Sequence, residues 1–394
     1  MPAVVFDPFA YETHEDPYPR YRALRDHAPA YWNDERRFWA LSRHADVLAA
    51  FKDHERFSSA GGVSLESSSA GDPSAVASFI AMDPPRHDRL RGLVSRAFTP
   101  RRVADLEPQI RRLTDTHLRA VLDAGRCDFI QDFAAKLPMD VVSEMLGVPV
   151  SDRDELRRWA DLVLHRDDGV TEVPPAGLEA AGKLLGYFAE LVAGRRRAPG
   201  SDLTSALLAA DLDGDRLDDR EIMSFLFLMI IAGNETTTKL LGNALFWLSR
   251  NPDERALVEA DPGLIPAWVE ETLRYDNSTQ ALARTLGEDV TLHGRTLRAG
   301  DKVLLLIGSA NRDERVFPDA DRFRIGRDQS ESLAFGKGTH FCLGASLARL
   351  EGRVALEAVH GHLRAWAIEP DGLVRVHSAN VRGFASMPLT FTAA

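Results

Sequence analysis

Phe335-Gly-Lys-Gly-Thr-His-Phe-Cys342-Leu-Gly-Ala-Ser-Leu-Ala-Arg349 sets one cysteine in a glycine-bearing turn that opens onto an apolar periodicity continuing toward Leu363. Apolar residues at three- and four-residue steps predict a helix, so Cys342 stands at a helix N-terminus. There the helix dipole and unpaired backbone N–H groups favour a thiolate, the form of cysteine that binds metal. Gly336 and Gly338 permit backbone geometry that a Cβ would block, letting the turn approach a flat ligand closely. A lone cysteine in such a loop is more often structural, so the rest of the chain has to decide.

Upstream, Asp218 to Arg250 reads as one long helix, opening with a capping box of Asp218 with Glu221 and closing before Asn251-Pro252. In its middle the apolar face gives way to Ala232-Gly233-Asn234-Glu235-Thr236-Thr237. Small residues there leave room, and hydroxyls compete for backbone carbonyls, so a kink or widening is expected. An acid and three threonines inside so apolar a helix are costly without a purpose.

Both segments resemble the cytochrome P450 family. The cysteine string is similar to its heme-binding signature, Phe-Gly-x-Gly-x-His-x-Cys-x-Gly followed by Leu-Ala-Arg, at every defined position. The long helix is similar to the family's Ala/Gly-Gly-x-Asp/Glu-Thr segment, which lies over the distal heme face. The resemblance implies heme b (iron protoporphyrin IX) with Cys342 as the iron's ligand, Phe335 near the sulfur and His340 at a propionate. It implies that Thr236 hydrogen-bonds dioxygen and that Glu235 relays protons inward from solvent, a general-acid system. Thiolate ligation favours O–O cleavage, so a monooxygenase acting on an apolar molecule is expected.

The likeness runs from Asp16-Pro-Tyr-Pro to the helix after Cys342 and implies a single domain over residues 1–394. In Asp83-Pro-Pro-Arg-His87-Asp-Arg-Leu-Arg91 it gives His87 and Arg91 to the propionates, whose carboxylates need such donors, and Arg284 falls where the family places another. Glu271 and Arg274, three apart on one helix face, match Glu-x-x-Arg, which implies a buried pair completed by a downstream arginine. Arg322 is favoured for that part over Arg327. After Tyr275, Asp276-Asn277-Ser278 lacks the proline common at that bend, a departure at the pocket's edge.

Helical periodicity elsewhere, as in Val103–Leu122 and Ala180–Arg195, makes the protein mainly α. A small β-rich region is expected at residues 289–311, where His293-Gly294 and Ala299-Gly300 split short β-favouring runs. Ser58 to Ala75 reads as a long Gly/Ser-rich surface loop. Together with Leu162–Leu164 and Gln280–Leu282 it would wall a pocket for a terpenoid, steroid, fatty acid or polyketide.

The chain's 394 residues carry 59 acids against 48 bases, a net of -11, which leaves no overall positive field for nucleic acid. Its longest apolar run, Phe225–Gly233, is well short of a membrane span of ~20 residues. No targeting segment precedes Arg25, and the two cysteines suit a reducing compartment, so a cytoplasmic protein is expected. Cys127 matches no signature and is given no role. No Gly-x-Gly-x-x-Gly follows a strand, so electrons are expected from a separate ferredoxin and ferredoxin reductase. The basic run of Arg86, Arg89, Arg91, Arg96, Arg101 and Arg102 against Asp88 alone is the expected docking face for an acidic ferredoxin. Two other readings fit less well. A non-enzymatic heme-thiolate sensor or carrier needs no Glu235 and Thr236. A cysteine hydrolase using Cys342 with His340 lacks a third orienting group.

Overall fold

Asp219–Arg250, a helix of 32 residues, runs through the middle of the protein, and the expected capping box starts it. The Asp218 carboxylate accepts from the Glu221 N–H at 2.8 Å, and the Glu221 carboxylate from the Asp218 N–H at 3.0 Å, tying down donors that a helix start leaves unpaired. The computed structural model describes residues 4–65, 78–96, 98–211 and 214–394. Lys136–Leu146, Arg153–Leu164 and Pro175–Arg197 pack against this central helix, as do Ile265–Tyr275 and Ala345–His362. Side chains of all of them merge into the largest apolar core.

The helix read as Val103–Leu122 is two. Pro100–Ala104 ends at Asp105, and Glu107–Leu122 begins anew with Pro108 in its first turn. Proline has no N–H to continue the earlier ladder, but it fits an opening turn. Pro175–Arg197 contains the other expected helix.

β-structure is more dispersed than one region at 289–311. There Val290–Leu292 and Arg295–Leu297 form a hairpin, with His293 at φ 51 and Gly294 at φ 73 in its two-residue turn, as the turn signal implied. Lys302–Leu306, however, lies inside a five-stranded sheet in the spatial order Ala30–Asn33, Phe38–Leu41, Lys302–Leu306, Ala281–Leu286, Phe57–Ser58. Phe38–Leu41 pairs with it in parallel, Phe38 opposite Lys302 and Leu41 opposite Leu305, while the other neighbours are antiparallel. A second core fills the space beneath this sheet, where Val47, Ala50 and Phe51 of helix His44–Lys52 meet it. Arg126–Asp128, Leu363–Ile368 and Pro388–Ala393 make a three-stranded sheet. The Ser58–Ala75 loop is described only as far as Leu65; its remainder lies outside the described residues.

One buried acid has a clear energetic signature. Glu351, on Ala345–His362, is 1% exposed, and its Oε2 has no hydrogen-bond partner. Burial alone pushes its carboxyl up to about 8. Between its ordinary value and about 8 the folded protein holds a proton that the unfolded chain has released. This contribution to stability is therefore full below about pH 4.5 and is lost as pH rises toward 8. Glu351→Gln, which cannot ionise, is expected to be more stable than the parent by roughly 2–3 kcal/mol at pH 7. Urea denaturation at pH 5, 7 and 8.5 checks this; parallel pH curves for the two proteins would exclude an ionising Glu351 as the cause.

Candidate active site

Each glycine of the cysteine turn has a left-handed backbone, Gly336 at φ 67 and Gly338 at φ 69. A Cβ on Gly338 would lie 2.5 Å from the carbonyl oxygen of Phe51, so one close approach that the turn needs is to the protein's own helix His44–Lys52. The Cys342 N–H donates to the Phe335 carbonyl at 2.9 Å, closing the loop. Ala345, three positions on, is the first helical residue, so the cysteine lies just outside the helix it was expected to open. Its thiol is accessible, yet set deep enough among protein atoms that burial raises its pKa. The Gly344 N–H, which bonds the sulfur, and the nearby Arg91 and Arg349 work against that rise. Phe335 lies beneath the Arg349 guanidinium, 4.5 Å from ring centre to Cζ, and Arg349 is anchored by the Glu270 carboxylate.

Around this turn, basic side chains converge, and two of their nitrogens have no partner among the described residues. His87 is 1% exposed; its Nδ1 meets the Asp88 carboxylate at 2.8 Å, and its Nε2 has no partner. The His340 ring lies 4.4 Å from it, centre to centre, and the His340 Nε2 is also unpaired. Burial, then the charge of Arg284, push the His340 imidazole down to about 3. Arg284 itself is 3% exposed and bonds only its neighbour's carbonyl, Ala283, at 2.7 Å; burial lowers it to about 10. Arg91 donates to the Phe341 carbonyl, next to Cys342. Four basic side chains from three separate stretches of the chain thus share one place, and among the described residues neither the His340 nor the His87 Nε2 has a partner that would offset its burial.

The central helix passes Ala232, which is exposed although the helix around it is mostly buried, and Thr236, which is half-buried. Asp219–Arg250 continues through this segment without interruption. The hydroxyl competition is present: Thr236 Oγ1 donates to the Ala232 carbonyl at 2.7 Å, and Thr238 Oγ1 to the Asn234 carbonyl at 3.0 Å. Glu235 is 3% exposed and forms an ion pair with Lys239 Nζ at 2.8 Å, one turn along the same helix. It is also hydrogen-bonded to Asp161 of helix Arg153–Leu164. Burial raises Glu235, but Lys239 and the Asp161 bond outweigh it and hold the carboxyl below its ordinary range. Asp161 shifts the other way, raised by burial and by the Glu235 charge. Of the two acids, Asp161, which also reaches the surface, is therefore the one more inclined to hold a proton.

The model of the family "Cytochrome P450" matches residues 263–386. The whole chain is 56% identical to a putative cytochrome P450 123 of Mycobacterium tuberculosis, covering 98% of that protein. It is 42% identical over 95% of its length to the vitamin D(3) 25-hydroxylase of Pseudonocardia autotrophica, of which it covers 94%. A cytochrome P450 of Bacillus megaterium crystallised with testosterone superposes with a TM-score of 0.89 at 33% identity, over 96% of this chain and 98% of that one. The chain belongs to the cytochrome P450 family. It has the cytochrome P450 fold, binds heme and is a monooxygenase. No helix among the described residues is long and apolar enough to cross a membrane.

The residues present fit the cofactor of the family. A flat macrocycle bearing two carboxylates supplies the acceptors that the unpaired Nε2 atoms of His87 and His340 and the desolvated Arg284 lack. Cys342 is an accessible thiol beside them. Cys127 is a contrast, since burial pushes its thiol up to about 12.

Behind the cysteine turn, Glu271 and Arg274 form the expected buried pair, joined at 2.7 and 2.8 Å and both 0% exposed. The third partner is not Arg322, whose side chain is exposed and which offers only its carbonyl to Arg274 at 3.2 Å. The chain turns at Gly326, φ 90, and brings Arg327 Nε to 3.6 Å and Gln329 Nε2 to 2.6 Å from the Glu271 carboxylate. The Arg324 N–H adds a bond at 2.8 Å. Sequence reasoning also missed Lys239 and Asp161. Lys239 carried a signal, since an acid and a lysine four apart on a helix pair readily; Asp161 carried none.

Proposed function

We propose that this cytochrome P450 holds heme through Cys342 and hydroxylates or epoxidises a small-to-medium apolar molecule, with a steroid or secosteroid as the first class to test. The observation that carries the reading is the pair of buried, unpaired Nε2 atoms of His87 and His340, with the buried Arg284 guanidinium near them, beside one accessible thiol. His87, Arg91, Arg284 and His340 would hold the heme carboxylates, and Phe335, backed by Arg349, would shield the sulfur. Bound there, heme supplies the chemistry that splits dioxygen and puts one oxygen atom into an unactivated C–H or C=C bond.

Thr236 would hold a proton at its hydroxyl, whose present acceptor is the Ala232 carbonyl, for delivery as dioxygen takes up electrons from the redox partner. Glu235 would resupply it. Because Glu235 is buried and paired with Lys239, the exposed Asp161, hydrogen-bonded to it, would be the group through which protons reach it from solvent. A sensor or carrier would have no use for this acid pair.

Residues 1–394 are read as one domain working in the cytoplasm, where cysteines such as Cys127 and Cys342 stay unpaired. Electrons would come from a ferredoxin and its reductase. Arg86, Arg96, Arg101 and Arg102 are exposed, and Pro100–Ala104 packs on the helix that follows Cys342, so an acidic partner would be drawn toward the cysteine turn. Arg89 is withdrawn from that patch by Asp215 and Glu221.

Steroids are favoured because the relatives named above include a vitamin D(3) hydroxylase and a protein crystallised with testosterone. The test is a reconstitution with a ferredoxin, its reductase and NADPH under oxygen-18 gas, offering testosterone beside a fatty acid and a terpenoid. One labelled oxygen atom is expected in the steroid product, at a rate that falls as salt is raised. Label from water, or no product from any of the three, would contradict the reading.

A further inference from the structure

The bend after Tyr275, Asp276-Asn277-Ser278, has no proline and carries a hydroxyl that reaches the central helix at Thr236. Ser278 is 5% exposed, and its Oγ donates to the main-chain carbonyl of Thr236 at 2.6 Å. That carbonyl lies inside an unbroken helix, where its ordinary partner is the N–H four residues on. The serine hydroxyl takes its second lone pair, which fixes the tilt of the Thr236–Thr237 peptide. A proline side chain has no donor to offer.

The bend that presents Ser278 is itself held from several sides. The Asn243 amide, two turns along the central helix, donates to the Asp276 carbonyl at 2.8 Å and to the Arg382 carbonyl at 3.1 Å. The Asp276 carboxylate, 0% exposed, takes Tyr18 at 2.5 Å, Trp247 at 2.7 Å and Arg382 at 2.8 Å. Beyond the bend, the Ser278 carbonyl accepts from the Arg382 N–H at 2.7 Å, Thr279 bridges to Val381, and the Gln280 N–H donates to Asn380 at 2.8 Å. A rigid bend therefore grips Thr236 through one hydroxyl and adjoins residues 280–282, a wall expected to face substrate. The Thr236 side chain starts from the backbone that this bond fixes, and displacements of tenths of an ångström at such a group change rates.

We propose that Ser278 is a positioning residue for Thr236, setting the placement of its hydroxyl during oxygen activation and linking it to the substrate-side bend. The proposal rests on the role given to Thr236 above. Ser278→Ala removes the donor and little volume; Ser278→Thr keeps the hydroxyl. Two readouts need no substrate. One is amide hydrogen exchange across residues 236–241 of the heme-loaded protein. The other is the rate at which the reduced protein re-oxidises in air-saturated buffer, in water and in deuterium oxide.

For Ser278→Ala, exchange at Leu240 and re-oxidation are each expected to rise about fivefold, the scale of one hydrogen bond, with an altered solvent isotope effect and unchanged heme content. Ser278→Thr is expected to restore both rates. Unchanged re-oxidation in Ser278→Ala, with or without faster exchange, overturns the proposal, as does a threonine variant that behaves like the alanine one. If the reduced, carbon monoxide-bound parent protein lacks the red-shifted band of thiolate-ligated heme, the underlying site reading fails instead, so the two failures are told apart.

Discussion

Cys342→Ala is expected to abolish the red-shifted Soret band that the reduced, carbon monoxide-bound protein shows, and oxygen insertion with it. Of the two cysteines, only Cys342 meets the conditions for ligation. Burial raises its thiol, but the Gly344 N–H and the nearby Arg91 and Arg349 work toward a thiolate, and the residue is exposed beside the unpaired histidines. Cys127 lies on the strand Arg126–Asp128 with its thiol pushed up to about 12. Cys127→Ala should therefore leave the spectrum intact. The loss in Cys342→Ala should be complete, because the band requires a thiolate on the iron and the one other cysteine, Cys127, lies on the strand Arg126–Asp128. His87, His340 and Arg284 would still attract heme by its carboxylates, so some heme is expected to remain bound without the thiolate signature. Absorption spectra of both variants, with heme content measured alongside, check this; an unaltered band in Cys342→Ala would remove the assignment.

The second large effect is on folding. Arg274→Ala is expected to destabilise the protein by about 3–5 kcal/mol, the range for removing one partner of a buried ion pair. Glu271 would be left at 0% exposure with only the Arg324 N–H, Gln329 and the more distant Arg327 to face it. The Asn311 and Ala320 carbonyls, each 2.9 Å from Arg274 Nη1, would lose their donor as well. Those carbonyls belong to the connection that leads into the cysteine turn, so heme retention should fall together with the urea midpoint. Arg274→Lys keeps the charge but not the two-pronged geometry, and a loss of more than half that of alanine is expected. A lysine variant as stable as the parent would show that charge alone matters there.

The cysteine turn, the central helix with its capping box and the Glu271–Arg274 pair were legible because each is a local pattern whose chemistry depends on spacing. The partners of those patterns were not. Asp161 reaches Glu235 from another helix, and nothing near Asp161 in the chain announces it. Arg327 rather than Arg322 approaches Glu271 because of a left-handed turn at Gly326, which residue types alone do not locate. The strand Phe38–Leu41 is buried at all four positions, so it shows no alternation from which to read a strand. The break at Asp105-Leu106 could have been read from Pro108, which fits a first turn far better than a helix interior.

That same strand carries a consequence for synthesis. Phe38–Leu41 has Ala30–Asn33 on one side, and its other side is completed only by Lys302–Leu306. On a ribosome adding about 5–20 residues per second, roughly 260 residues separate the two, so the hairpin waits on the order of 13–50 seconds with an unpaired apolar edge. The N-terminal sheet is consequently among the last parts to close, and translation speed and chaperone supply during that interval should govern how much soluble protein a cell obtains.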